Sequence, residues 1–125
     1  QYQSWDPHGW VEGSNRYAIF GGAKPALMKG AAWNELKYVG PAIFNDQLTV
    51  QEDDVSCPDF FSIDGRHAFV AISHRAGVRW WTGTWKGDRF TAEQQDRITW
   101  PGGSYFAPET LLDASGRRLL WGWVL

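Results

Sequence analysis

The chain has 125 residues, the length of one ordinary domain, and 43% hydrophobic residues including nine Trp and seven Phe; this supplies a core and excludes a disordered chain. A formal net charge of −2 gives no electrostatic draw toward nucleic acid or an acidic membrane. The single cysteine, Cys57, excludes an intrachain disulfide framework, and no apolar run approaches the roughly 20 residues of a transmembrane helix.

In chain order, residues 4–12 predict a first strand, Gly13 to Asn15 a hairpin turn, and Arg16 to Gly21 a second strand. Pro25 to Lys29 predicts a third strand and Glu35 to Val39 a fourth, before Gly40-Pro41 turns the chain. In the second strand Tyr17 and Ile19 alternate with Ala18 and Phe20, so both faces are apolar, as suits a sheet stacked between neighbouring sheets. Residues 45–54 read as a polar connection ending in Glu52, Asp53 and Asp54, a solvated acidic loop.

Cys57 to Ile63 predicts the next strand, and Asp64-Gly65 is a two-residue hairpin signal. His67 to Ser73 returns, Arg79 to Trp85 makes a third strand, and Gly87-Asp88 turns into Arg89-Phe90-Thr91. Ala92 to Arg97, with Glu93-Gln94-Gln95, reads as a short helical turn or an outer-edge irregularity. The last two strands begin near Tyr105 and include Leu119 to Val124.

Pro7, Pro58 and Pro108 stand 51 and 50 residues apart, and the sequences after them fall into register. Each is followed by an apolar run, a polar turn (Gly13-Ser14-Asn15-Arg16, Asp64-Gly65-Arg66, Ser115-Gly116-Arg117) and a second apolar strand. A period of this length built from short strands and Gly turns indicates β-propeller blades. The expected fold is therefore all-β, a partial propeller of about two and a half four-stranded antiparallel blades in one domain, 1–125. Its units are 4–46, 55–98 and 104–125. The pattern starts abruptly at Gln1 and stops at Leu125 inside an apolar strand, which predicts an excerpt of a longer protein.

The inner strands of a propeller start around one mouth of the central channel, so residues beside the three prolines should converge there. These are Trp5, Asp6 and His8; Ser56, Cys57 and Asp59; Ala107 and Glu109. Carboxylates with aromatic rims suit glycoside chemistry, which needs a carboxylate near the anomeric carbon and a proton donor at the leaving oxygen. Indole faces supply apolar surface for sugar C–H groups.

Trp5-Asp6-Pro7, Ser56-Cys57-Pro58-Asp59-Phe60-Phe61, Tyr105-Phe106-Ala107-Pro108-Glu109-Thr110 and Arg117-Arg118-Leu119-Leu120-Trp121-Gly122-Trp123 occur in an order and spacing that resemble glycoside hydrolase family 32. That family contains the invertases, inulinases and levanases, with a five-bladed propeller as catalytic domain. The resemblance runs from Ser4 to Val124. It implies a retaining β-fructofuranosidase-like hydrolase of fructosides or related O-glycosides.

The resemblance places Asp6 at the family's Arg-Asp-Pro aspartate, which binds sugar hydroxyls and stabilises the transition state. Trp5 stands where the family keeps Arg, exchanging a bidentate donor for a stacking face. Ser56 replaces the acid/base Glu of Glu-Cys-Pro, and a hydroxyl is too weak an acid for that work. The family's nucleophilic Asp belongs to a preceding blade that this sequence does not include. Glu109 is the substitute acid to be considered, with a surface ion pair as its plain alternative. Trp5, His8, Ser56, Cys57 and Trp100 complete the expected sugar site, with Trp10 as a further stacking candidate; Trp80, Trp81, Trp85, Trp121 and Trp123 read as blade-to-blade packing.

His8, His67, His74 and Cys57 match no zinc spacing, and the Gly-rich pieces lack the strand–helix setting of a phosphate loop. No metal, cofactor, nucleic acid or membrane is therefore expected as partner, only a carbohydrate. The rival expectation is a non-catalytic carbohydrate-binding propeller that kept the pocket after losing Glu at position 56. A WD-type interaction propeller is disfavoured, because the Trp-Asp and Gly-His signatures of that repeat are not in place. Sugar, linkage, oligomeric state and a cytoplasmic or secreted location are left open by the sequence.

Overall fold

A computed structural model describes residues 5–43, 54–99 and 104–125. Its ten strands form three antiparallel sheets. The first contains β1 (Trp5–Glu12), β2 (Asn15–Gly21), β3 (Ala26–Gly30) and β4 (Lys37–Pro41), in that order, with one 3-10 turn at Trp33–Glu35. The second contains β5 (Ser56–Ile63), β6 (Arg66–Ser73), β7 (Gly77–Trp85) and β8 (Phe90–Arg97), again in sequence order. The third pairs β9 (Tyr105–Leu112) with β10 (Arg118–Val124). This is a partial β-propeller, with the aligned prolines at equivalent places on the first strand of each sheet.

The repeat has one backbone cause. Trp5 pairs with Gly21 and His8 with Ile19, so Asp6-Pro7 together face one residue of β2. Cys57-Pro58 face one residue between the Ser56–Ile72 and Asp59–Val70 pairs. Ala107-Pro108 do the same between the Phe106–Trp123 and Glu109–Trp121 pairs. Each is a β-bulge, and a proline fits there because its missing N–H would otherwise interrupt the ladder. The residue before each proline has positive φ: 46° at Asp6, 46° at Cys57 and 47° at Ala107.

The hairpins follow their turn residues. Asp64 and Gly65 (φ 49° and 75°), and Gly87 and Asp88 (60° and 61°), have the two left-handed residues of a type I′ turn. Of the two expectations for Ala92 to Arg97, the helical turn is overturned and the outer-edge irregularity is found: these residues extend β8 along β7 at the sheet edge, with a register shift between the Thr82–Gln94 and Gly83–Ala92 pairs. Phe90 and Ala92 bury their side chains while Thr91 and Glu93 face solvent. That alternation outweighs the helix preference of Ala, Glu and Gln.

The main core lies between the first two sheets, where Tyr17, Ile19 and Leu27 meet Phe60, Phe69, Trp81 and Phe90. Trp10 stacks on Tyr17 with centroids 5.2 Å apart and lies 4.8 Å from Phe60 and 5.8 Å from Trp85. Each large apolar side chain buried there contributes about 1.5–3 kcal/mol. Trp81 packs there as expected. A polar clasp closes the same seam: Asp88 accepts hydrogen bonds from Tyr17 Oη at 2.6 Å and Lys29 Nζ at 2.8 Å.

Two predictions test these contacts by thermal unfolding. A Cβ on Gly83 would sit 2.0 Å from the Thr91 carbonyl oxygen, so Gly83→Ala should cost about 1–3 kcal/mol. A Cβ on Gly40 meets nothing within 4 Å, so Gly40→Ala should leave stability nearly unchanged. The hydrogen bonds from Lys29 and then Tyr17 hold the Asp88 pKa below the ordinary aspartate value. Its stabilising contribution is therefore present above the unfolded-state pKa and lost as pH falls through the lower folded-state value. Asp88→Asn should flatten that acid limb of the stability curve.

Candidate functional site

The three bulges bring the residues flanking Pro7, Pro58 and Pro108 to one mouth. The residues just before the prolines are Asp6, Cys57 and Ala107; those just after are His8, Asp59 and Glu109. Cys57 N donates to Asp6 Oδ2 at 3.3 Å, and the thiol lies 3.9 Å from the same oxygen. Asp6 and Glu109 are solvent-accessible, whereas Cys57 is half-buried.

Behind them stands Asp59, 1% exposed. Its Oδ2 accepts the Thr110 amide at 2.8 Å, and its Oδ1 lies 3.1 Å from His8 Nδ1. That approach is not a well-directed hydrogen bond. His8 Nε2 lies 3.0 Å from the Phe60 carbonyl oxygen. A carbonyl only accepts, so Nε2 carries the hydrogen. Asp59 thus joins all three sheets. The sequence grouped it with the mouth but gave it no role; the signal was its register with His8 and Glu109.

The electrostatics follow the crowding of carboxylates. Glu109 is raised above the ordinary carboxylate range, first by the protein that removes water from one side of it, then by the negative charges of Asp59 and Asp6. Desolvation is also the first cause at Cys57, whose thiol is pushed up to about 11, with Asp6 and Glu109 adding to it. Cys57 is therefore a thiol and not a thiolate near neutral pH.

The other expected residues lie as follows. Trp5 Nε1 donates to the Val55 carbonyl at 3.0 Å, so its polar edge ties the first sheet to the second while the residue remains 40% exposed. Ser56 is buried and donates to Asp54 Oδ2 at 3.2 Å. Asp54, expected to be simply solvated, also accepts the His74 amide at 3.1 Å and pairs with the His74 ring. Trp10 packs its ring against Tyr17, Phe60 and Trp85, is only partly buried, and also lines a cleft beside His8 and Phe60. Trp100, Glu52 and Asp53 lie outside the described residues.

Below the mouth a cleft of about 420 Å³ runs along the inner strands from His8 past Phe60 and Phe61 to Arg118. The Arg118 guanidinium lies 4.3 Å over the Phe61 ring and donates to Thr110 Oγ1 at 3.0 Å. Among the described residues no group of three or more His, Cys, Asp or Glu could hold a metal ion.

The sequence matches the Glycosyl hydrolases family 32 N-terminal domain over residues 3–125. The chain belongs to glycosyl hydrolase family 32. No curated protein matches it significantly. Among solved structures it is similar to the Bombyx mori family 32 beta-fructofuranosidase, at 17% identity and a TM-score of 0.71, covering 95% of this chain and 29% of that one. A mutant of the same enzyme in complex with sucrose gives 16% identity and a TM-score of 0.69, over 94% and 29% of the two chains. The endo-arabinase from Bacteroides thetaiotaomicron VPI-5482 gives 19% and 0.73, over 95% and 44%. These likenesses are of fold, and the family 32 chain described here spans less than half the length of each of these enzymes.

The thiol at the mouth offers a direct probe. Cys57 should react slowly with iodoacetamide at pH 8, because little thiolate is present. Asp6→Asn removes one of the charges that raise its pKa, so alkylation should become faster at fixed pH. An unchanged rate-versus-pH curve would mean that Asp6 does not act on Cys57.

Proposed function

We propose that the protein carrying this chain is a glycoside hydrolase acting on fructosides or related O-glycosides, with Asp6 holding the sugar and Glu109 donating the proton to the leaving group. The reading rests chiefly on one observation: Glu109 shares the mouth with Asp6 and is raised by desolvation, Asp59 and Asp6. A raised pKa favours the protonated form, which is the form a general acid requires. Family membership supports a glycosidase, and the sucrose complex of the Bombyx mori mutant supports a carbohydrate ligand.

The chemistry divides between the two carboxyls. Asp6, open to solvent, hydrogen-bonds sugar hydroxyls and offsets positive charge developing at the anomeric carbon. Glu109 protonates the glycosidic oxygen as the bond breaks, since a sugar alkoxide leaves poorly. Retention requires a carboxylate nucleophile about 5–5.5 Å from the acid, contributed by another blade. Trp5, His8, Ser56, Cys57 and Trp100 are the proposed surround of the sugar.

The second reading is a carbohydrate-binding propeller without catalysis. It is favoured by Ser56, which replaces the family's acid and turns its hydroxyl to Asp54. Turnover of sucrose and of an aryl fructoside with an activated leaving group separates the two. In the intact protein, Glu109→Gln should lower the sucrose rate by roughly 10²–10⁴ and spare the aryl fructoside. Asp6→Asn should lower both by about 10²–10³. Sugar binding without turnover in the unmodified protein would establish the binding module instead.

A further inference from the structure

Trp5 is at once locked in place and open to solvent. Its indole N–H donates to the Val55 carbonyl oxygen at 3.0 Å. That oxygen also accepts the Gly22 amide at 2.8 Å, and the Val55 amide donates back to the Gly22 carbonyl at 2.9 Å, so the anchor belongs to a backbone bridge between the first two sheets. Gly21, the cross-strand partner of Trp5, forms the seat: a Cβ there would stand 2.6 Å from Cδ1 and 2.7 Å from Nε1 of the indole. The pyrrole edge is thus held by a polar and a steric contact, while the residue keeps 40% exposure. A surface side chain without such a seat is ordered only when its ligand binds, at a cost in affinity. Here the fold has ordered it beforehand.

The next side chain reaches the same stretch of chain. Asp6 Oδ2 accepts the Cys57 amide at 3.3 Å, two residues along from the carbonyl that holds Trp5, so indole and carboxyl lie side by side over the start of β5. With its only donor spent on Val55, the Trp5 side chain can offer a ligand its π face and nothing else. Such a face takes the C–H groups of a sugar ring laid flat on it. A ring placed there sits next to Asp6, which can accept from its hydroxyls. The residues flanking the three prolines include three carboxyls, Asp6, Asp59 and Glu109, and no Lys or Arg. Ionised carboxyls repel a ligand that carries negative charge.

We propose that Trp5 is a pre-set stacking platform that selects an uncharged pyranose ring, the unit joined to the sugar that Asp6 holds. The inference rests on the reading of this mouth as a sugar site and names the ring that the Trp5 side of it takes. A six-membered ring in its chair form presents several C–H groups on one face and is close to an indole in size. An open-chain polyol carries the same hydroxyls but has no such face, so it can use Asp6 and gains nothing from Trp5. A uronoside has the face and adds a carboxylate where the flanking carboxyls oppose it.

Nitrogen–proton NMR titration of the intact protein with methyl glucopyranoside, sorbitol and methyl glucuronoside tests the platform. The Cys57 amide reports on Asp6, and the Trp5 indole N–H, assigned by its loss in Trp5→Phe, reports on the ring. The glucopyranoside should bind more tightly than either other probe and move the indole resonance, which sorbitol should leave in place. Trp5→Ala, followed at the Cys57 amide, should weaken glucopyranoside binding about tenfold and not alter the response to sorbitol. Trp5→Phe keeps a ring without the anchoring N–H and should fall between the two. An unmodified protein that binds no pyranoside, or binds all three probes alike, overturns the inference, as does equal glucopyranoside affinity in Trp5→Ala. Should Trp5→Ala not fold, Trp5→Phe and the indole resonance still decide. None of these readouts needs turnover. A protein that hydrolyses no fructoside but shows the Trp5-dependent preference would refute the glycosidase reading and retain the platform; one that hydrolyses fructosides without that preference would do the reverse.

Discussion

The bulge in front of each aligned proline is the constraint on which the site depends. One extra residue on the inner strand forces its neighbour into a left-handed conformation, at φ 46–47° in all three sheets. For residues with a Cβ this costs about 1–2 kcal/mol each. None of the three is glycine, so the strain is carried by contacts around it. Asp6 takes the Cys57 amide, and the indole N–H of Trp5 takes the Val55 carbonyl. Gly21, opposite Trp5, admits that indole: a Cβ there would stand 2.6 Å from its ring and 2.5 Å from the Val55 oxygen. Gly122, opposite the third bulge, is confined in the same way by Phe106 O and the Tyr105 ring.

The same repeat joins one sheet to the next. The side chain following the proline reaches the backbone two residues after the next proline: His8 to the Phe60 carbonyl, and Asp59 to the Thr110 amide. One donates and the other accepts, so the residue type can vary while the geometry persists. This explains how a 50-residue period survives with little identity between its units. It also places the polar residues that join the sheets immediately beneath those that line the mouth, where packing and chemistry share the same charges.

Much of this was legible in the sequence. The proline spacing gave the blades, and Asp64-Gly65 and Gly87-Asp88 gave two hairpins. The short motifs around Pro7, Pro58 and Pro108 gave the family. The strand character of Ala92 to Arg97 is hidden because an outer strand carries helix-forming polar residues on its open side. Only the burial of Phe90 and Ala92, with Glu93 pairing to Arg66 on β6, reveals its period. Trp10 both packs on the seam and lines the cleft, a double placement that its sequence neighbourhood does not show. Asp54 differed because its partner, His74, lies 20 residues away across the sheet.

Asp59 was the hardest to assign, since a carboxylate after a proline has no local mark of burial. Its register with His8 and Glu109 becomes informative once the bulges are known to be equivalent. His8 and Asp59 spend their polar atoms on the next inner strand. Glu109 occupies the same position with one methylene more than Asp59, and in a sheet where Ala107 supplies no carboxylate before the proline. Its pKa is raised first by desolvation and then by the charges of Asp59 and Asp6, so the three carboxyls share one electrostatic environment. The same register position thus carries a ring, a buried carboxyl and an accessible carboxyl on three inner strands of one backbone geometry.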